Sequence, residues 1–277
     1  MKINKHICFS KEKAPELVDY LLQNGIPFNC TGSLLTIDIQ QDSPYWNDIC
    51  DIVERKKLTC LSQTTFSKKE LEEAQWLCVR SKWMQGYPQP ESNFAYQSIT
   101  YDDSRYCKEC GSGLYQQSPF RLKSYPKWGS RHFMMVNWIY DELFIDECTK
   151  EILQNSSLSG FQFTNVENKN GSAFLPNIYQ LAILKKSAAG LIGDQASIQH
   201  IYTCSCCGRK KFHPSGIGMF SIRKNVLDNM PDICKSSDFV GWGASAHHLI
   251  LIRQSLYRLI CEHHLDRGLI FCPINLV

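Results

Sequence analysis

No stretch of this 277-residue chain reaches the roughly 18 consecutive apolar residues that a membrane-spanning helix needs. Its opening, MKINKHICFSKEK, holds no long apolar run, so no secretory signal is expected and the expected setting is the cytoplasm. Charge of one sign is not in excess either. The net value is +3 with histidine neutral, too small by itself to point to nucleic acid or an anionic membrane. Also missing are G-x-x-x-x-G-K-[ST], G-x-S-x-G and H-E-x-x-H, which mark phosphate loops, nucleophile elbows and metalloprotease helices. GIG at 216–218 and GWG at 241–243 are too short for a dinucleotide fingerprint. The expectation is a protein that is not an enzyme.

What the chain has in quantity is cysteine, with 14 residues. A disulfide framework suits short secreted chains, which this is not. Cys50 in DICDIV, Cys78 in WLCVR and Cys261 in LICEH sit beside aliphatic residues and read as small buried hydrophobes. Four others are different. Cys107 and Cys110 precede Gly111, and Cys204 and Cys207 precede Gly208, giving Cys-x-x-Cys-Gly twice. Composition alone predicts about 0.04 such motifs per chain.

Two thiolates at this spacing hold one metal ion from a tight turn, with zinc–sulfur distances of about 2.3 Å. The turn needs a residue that accepts positive φ after the second cysteine, which Gly111 and Gly208 supply. A structural zinc takes four ligands, so Cys107, Cys110, Cys204 and Cys207 would complete one closed tetrahedral site. Such a site has no open position for a water or substrate; it adds folding free energy. Three rivals stand beside it. One is a thioredoxin-like redox pair, which needs Cys-x-x-Cys at a helix N-terminus. Another is two separate sites completed by His132 and His213, and the third enlists Cys206 as a ligand.

Elsewhere the pattern is α+β. Residues 1–66 read as β-α-β-β-α-β, a ferredoxin-like order, with Ser43 as N-cap and Pro44 as first residue of the second helix. Residues 67–94 read as a connecting helix and linker, opened by the Ser67/Glu70 capping box and ending near Gly86. Residues 95–277 read as one metal-pinned domain with an internal pseudo-repeat. Residues 142–166 and 250–274 each give strand, helix, glycine turn and alternating strand, aligned on Gly160 and Gly268. The histidine pairs His247-His248 and His263-His264 do not read as metal clamps, because adjacent side chains diverge.

Two widely spaced Cys-x-x-Cys-Gly motifs, each followed by a strand (WIYDELFI or HLILI), a short helix and a GFQF or GLIF ending, resemble the bacterial double-CXXCG proteins. These include immunity proteins against polymorphic or contact-delivered toxins. Cys107, Cys110, Gly111, Cys204, Cys207 and Gly208 carry the resemblance, with weaker matches at Trp138, Asp141, Glu142, Leu143 and Phe144. It spans roughly residues 100–277, and the extra Cys206 departs from it. It implies a cytoplasmic protein that captures a cognate toxin and has no catalytic residues. The alternative is a zinc-ribbon-like nucleic-acid module using Arg209, Lys210 and Lys211, with basic and aromatic residues interleaved over 120–133.

Overall fold

Alternating apolar residues make KINKHICFS a strand, β1 (Lys2–Ser10), whose Lys5, Ile7 and Phe9 turn inward. Helix α1 (Pro15–Gln23) buries Leu17, Val18 and Leu21, and strands β2 (Asn29–Thr31) and β3 (Leu34–Gln40) follow. Helix α2 (Trp46–Arg55) buries Ile49, Ile52 and Val53, and β4 (Thr59–Thr65) closes the unit. All 277 residues are described in this computed structural model. The four strands stand in the order β2-β3-β1-β4, every neighbouring pair antiparallel. Both helices and the sheet share one apolar core. The N-cap expectation is corrected: α2 starts at Trp46, because the Ser43 carbonyl is taken by the Trp46 N–H at 3.0 Å in a preceding turn.

A larger correction concerns the connecting helix. The Ser67/Glu70 capping box forms, but α3 (Lys68–Glu73) ends after 6 residues and Trp76–Ser81 is a strand, β5. Trp76, Leu77 and Val79 are buried there. Burial inside a sheet has overridden the helix preference of the Glu-rich stretch before it. The segment expected to be a connector therefore belongs to the core of the second part.

That second part opens with α4 (Tyr96–Thr100), β6 (Tyr101–Asp102), β7 (Tyr115–Gln116), β8 (Arg121–Leu122) and β9 (Phe133–Val136). Next come β10 (Ile139–Ile145), α5 (Glu147–Gln154), β11 (Phe161–Asn168) and β12 (Phe174–Ile183). The chain ends with β13 (Ile198–Thr203), β14 (Lys210–Pro214), β15 (Ser221–Ile222), β16 (Ile233–Val240), β17 (His247–Arg253), α6 (Gln254–Glu262), β18 (Leu269–Pro273) and β19 (Asn275–Leu276). Two sheets dominate, ordered β8-β11-β12-β10-β9 and β13-β14-β16-β17-β5-β18.

The two sheets share an arrangement. The antiparallel run β9-β10-β12-β11 in one corresponds to β16-β17-β5-β18 in the other. In each, a hairpin leads to a helix and then a strand, so 142–166 and 250–274 do share the expected strand-helix-strand order. The strand between differs in origin: β12 follows its unit in sequence, whereas β5 precedes its unit by more than the whole first sheet. Leu143, Ile145 and Leu181 of the first sheet pack with Leu77, Ile250 and Ile252 of the second, and Leu153 of α5 and Leu256 of α6 join them. One apolar core thus unites the halves.

Because Leu77 is fully buried in this shared core, Leu77→Ala is expected to lower unfolding free energy by about 2–5 kcal/mol in urea titration. Leu22→Ala, at a position 64% exposed on α1, should change it by less than about 0.5 kcal/mol.

Candidate metal centre and the adjoining cleft

Each cysteine pair lies in the loop of a small antiparallel ribbon: Cys107 and Cys110 between β6 and β7, Cys204 and Cys207 between β13 and β14. The two loops carry the same hydrogen bonds. Gly111 N–H donates to the Cys107 carbonyl and Gly208 N–H to the Cys204 carbonyl, both at 2.8 Å. Cys107 N–H donates to the Ser112 carbonyl at 2.9 Å, and Cys204 N–H to the Arg209 carbonyl at 3.0 Å. Both glycines are left-handed, with φ of 78° at Gly111 and 71° at Gly208.

The loops converge despite the sequence between them. The four sulfurs all lie within 4.8 Å of one another. Cys107 Sγ is 3.8 Å from Cys204 Sγ, and Cys110 Sγ is 3.6 Å from Cys207 Sγ. Four thiolates around one zinc at 2.3 Å would stand about 3.8 Å apart. The donor set and its spacing fit one tetrahedral metal ion, and none of the fourteen cysteines is in a disulfide. The Cys110 backbone N–H faces the Cys107 sulfur and lowers that thiol to about 6; the Cys207 N–H lowers Cys204 in the same way. These two thiols give up their protons the more readily, whereas at Cys207 the Arg209 N–H is outweighed by burial and the neighbouring sulfurs, which push that thiol up to about 11.

The second shell ties the loops together. Arg209 Nη1 donates to the Arg105 carbonyl at 2.9 Å and the Ser112 carbonyl at 3.2 Å. The Ser112 hydroxyl lies 3.0 Å from Cys110 Sγ. Lys211 is buried, and its ammonium donates to the carbonyls of Cys110 at 2.9 Å and Ser245 at 3.2 Å, and to that of Gly243. Its positive charge lies beside the sulfurs, where it offsets part of the negative charge of a four-thiolate centre.

None of the rival ligands joins the four-sulfur group, although the Cys206 thiol stands close enough to Cys107 to be raised by it. Cys206 is exposed and outside the four-sulfur group. His132 Nδ1 pairs with Asp146 at 2.9 Å, and His213 packs on Trp242 with ring centroids 4.4 Å apart. Neither motif opens a helix, as a redox pair would require; a short strand follows each. Of the basic trio, Arg209 and Lys211 turn inward and Lys210 alone is exposed.

Beside the metal centre lies a cleft of about 1020 Å³, which sequence reasoning missed. Gly111, Ala244 and Ser245 form part of its wall, so the knuckle shapes it directly. Its floor gathers Asp141, Glu142, Lys186, Lys235, His247 and His248. Lys235 is buried and pairs with Glu142, and its ammonium is 4.0 Å from Asp141 Oδ2. Lys186 Nζ is 2.8 Å from His248 Nε2, and the His248 backbone N–H donates to Asp141 Oδ2 at 3.2 Å. Burial raises the Glu142 carboxyl. Burial also opposes ionisation of Asp141, but Lys235 and both histidines outweigh it and hold that carboxyl below its usual range. The available signal was local: Asp141-Glu142 interrupts an apolar strand, and His247-His248 opens another. Only the tertiary fold brings them to one floor.

Comparison with protein-family models finds no match, and no curated protein matches the chain.

Two predictions follow from this geometry. A Cβ at Gly111 would stand 1.9 Å from the Ala244 carbonyl oxygen, whereas one at Gly208 meets nothing within 4 Å. Gly111→Ala should therefore lower the thermal midpoint well beyond Gly208→Ala, although the left-handed backbone penalises both; equal losses would refute the close approach. The second concerns acid. Burial lowers His248 to about 4, and lowers His247. A base with its folded pKa below the unfolded value of about 6.5 binds protons preferentially when unfolded, so stability is unaffected above that pH and falls from there towards pH 4. His248→Gln should flatten this part of a urea-midpoint-versus-pH curve; an unchanged slope would contradict the assignment.

Proposed function

We propose that this chain is an immunity-type protein of the bacterial cytoplasm that captures a cognate toxin one to one and holds one structural zinc at Cys107, Cys110, Cys204 and Cys207. The observation that carries the reading is the convergence of the two motifs into a single four-sulfur centre matched to a closed tetrahedral site. With four sulfurs on the metal, no position is left for chemistry, and the centre braces the surface around it. The doubled motif is also the feature by which the sequence resembles the double-CXXCG proteins.

Two structural readings accompany this proposal. The strand order β2-β3-β1-β4, antiparallel throughout, supports a ferredoxin-like class for residues 1–66. The shared run of strands in the two larger sheets supports an ancestral duplication. A nucleic-acid module is less favoured, because Arg209 and Lys211 spend their donors on backbone carbonyls around the metal centre. A salt-dependent affinity for DNA or RNA would revive it.

The zinc is checked by elemental analysis of the native protein, which should give about one zinc per chain. Cys107→Ser should lose the metal and lower the unfolding midpoint. A metal-free native protein, or full stability in the variant, would remove the zinc. The capture reading is checked with the product of the neighbouring reading frame. Co-expression should restore growth, and the two chains should co-elute at equal stoichiometry; growth arrest without a complex would overturn it.

A further inference from the structure

Two lysines of the cleft are neighbours in opposite environments. The Ser187 N–H donates to the Lys235 carbonyl at 2.8 Å, and the Lys235 N–H to the Lys185 carbonyl at 2.9 Å. These bonds make Lys186 and Lys235 partners in an isolated parallel bridge, and both residues line the cleft. The Lys235 ammonium pairs with Glu142 and lies 4.0 Å from Asp141 Oδ2. Burial opposes its charge, but Asp141 and Glu142 outweigh burial and hold it above the usual lysine range. Lys186 makes no ion pair, and its hydrogen bond runs to His248 Nε2 at 2.8 Å. Burial and the charge of Lys235 push its ammonium below the usual range, and Asp141 and Glu142 do not restore it. Environments that drive two like groups apart give them different roles.

His248 sets the direction of the Lys186 amine. Its Nδ1 lies 3.4 Å from the Asp238 carbonyl, which can only accept, so Nδ1 carries the proton. Nε2 is then a lone pair facing Lys186. Burial lowers this imidazole to about 4, which leaves Nε2 an unprotonated acceptor at neutral pH. Lys186 is nevertheless exposed, so a ligand in the cleft can reach its nitrogen. A partly desolvated lysine beside a second cation is an activated nucleophile towards carbonyl carbon. The lining carries Lys108, Lys186 and Lys235 against Asp141 and Glu142, a balance that favours an acidic guest over a basic one.

We infer that Lys186 is a Schiff-base site, at which the cleft takes up a carbonyl compound bearing an acidic group. The free amine adds to the carbonyl carbon, a C–N bond forms, and the carbonyl π pair moves to oxygen. His248 Nε2 takes one proton from the nitrogen and returns it to that oxygen, giving a carbinolamine. Its C–O bond then breaks, the hydroxyl leaves as water with the last N–H proton, and an imine remains. Nothing is oxidised or reduced. The site goes beyond toxin capture and stands or falls separately from it.

The probe is glyoxylate with cyanoborohydride, applied to the intact, metal-loaded protein. The hydride reduces the imine to a stable secondary amine, which peptide mass mapping locates. Lys186 should be labelled about tenfold faster than its exposed neighbour Lys185. Lys235, Asp141, Glu142, His248 and the Tyr115 ring face Lys186. In that setting the rate should rise with pH through a midpoint below the ordinary lysine value of about 10.4. His248→Gln should slow labelling at least about tenfold while leaving the glyoxylate concentration at half-saturation unchanged. Lys186→Arg should remove the fast phase. Thermal unfolding establishes that the variants fold, and mapping of the unsubstituted chain decides the question even where one does not. Acetaldehyde, which lacks the carboxylate, should prefer Lys186 over Lys185 less strongly; an equal preference would overturn the acidic guest. Labelling of Lys186 no faster than Lys185, preferential labelling of Lys235, or a midpoint at the ordinary lysine value would each overturn the Schiff-base site.

Discussion

Four thiols brought together from two distant loops are the constraint around which the second part of this protein is arranged. Sulfurs at 3.6 and 3.8 Å repel as thiolates unless protons or a cation intervene, so the four can all ionise only around a positive charge. Everything adjacent is consistent with that demand. Backbone N–H groups point at sulfur, a buried ammonium at Lys211 waits alongside, and Arg209 laces one loop to the other. Bringing residues 107 and 204 together closes a long loop, an entropic cost that metal binding in the folded state would offset.

The brace and the shared apolar core act at different places. The core joins the sheets through Leu143, Ile145, Ile250 and Ile252, deep between them. The four-sulfur centre acts at the rim, where the chain is mostly loop and hydrophobic burial is small. The cleft borders the four-cysteine loops at Gly111, and its lining includes the buried pair Lys235 and Glu142, two charges that are costly to desolvate.

Much of this was legible in the sequence, and the limits have physical causes. The four-cysteine cluster was readable because the Cys-x-x-Cys-Gly motif fixes both residue type and spacing within each loop. The element order of residues 1–65 was readable because each element is amphipathic and its neighbours are close in sequence. The helix over 67–85 was misread because capping and propensity are local, whereas the strand at Trp76–Ser81 is dictated by partners near the other end of the chain. The cleft was invisible for the same reason. Asp141 and Glu142 stood out within an apolar strand, but Lys235 and His248 meet them only through the packing of two sheets.

The location of β5 also bears on how the chain is made. Its apolar face leaves the ribosome early, yet the strands on either side of it, β17 and β18, are translated about 165 residues later. At elongation rates of about 5 to 20 residues per second that interval is roughly 10 to 30 s. Throughout it, Trp76, Leu77 and Val79 have no sheet to enter. Nascent chains of this protein must therefore carry an unpaired sticky segment for most of their synthesis, and a fragment begun at residue 95 would lack an interior strand of its larger sheet and expose two unsatisfied edges.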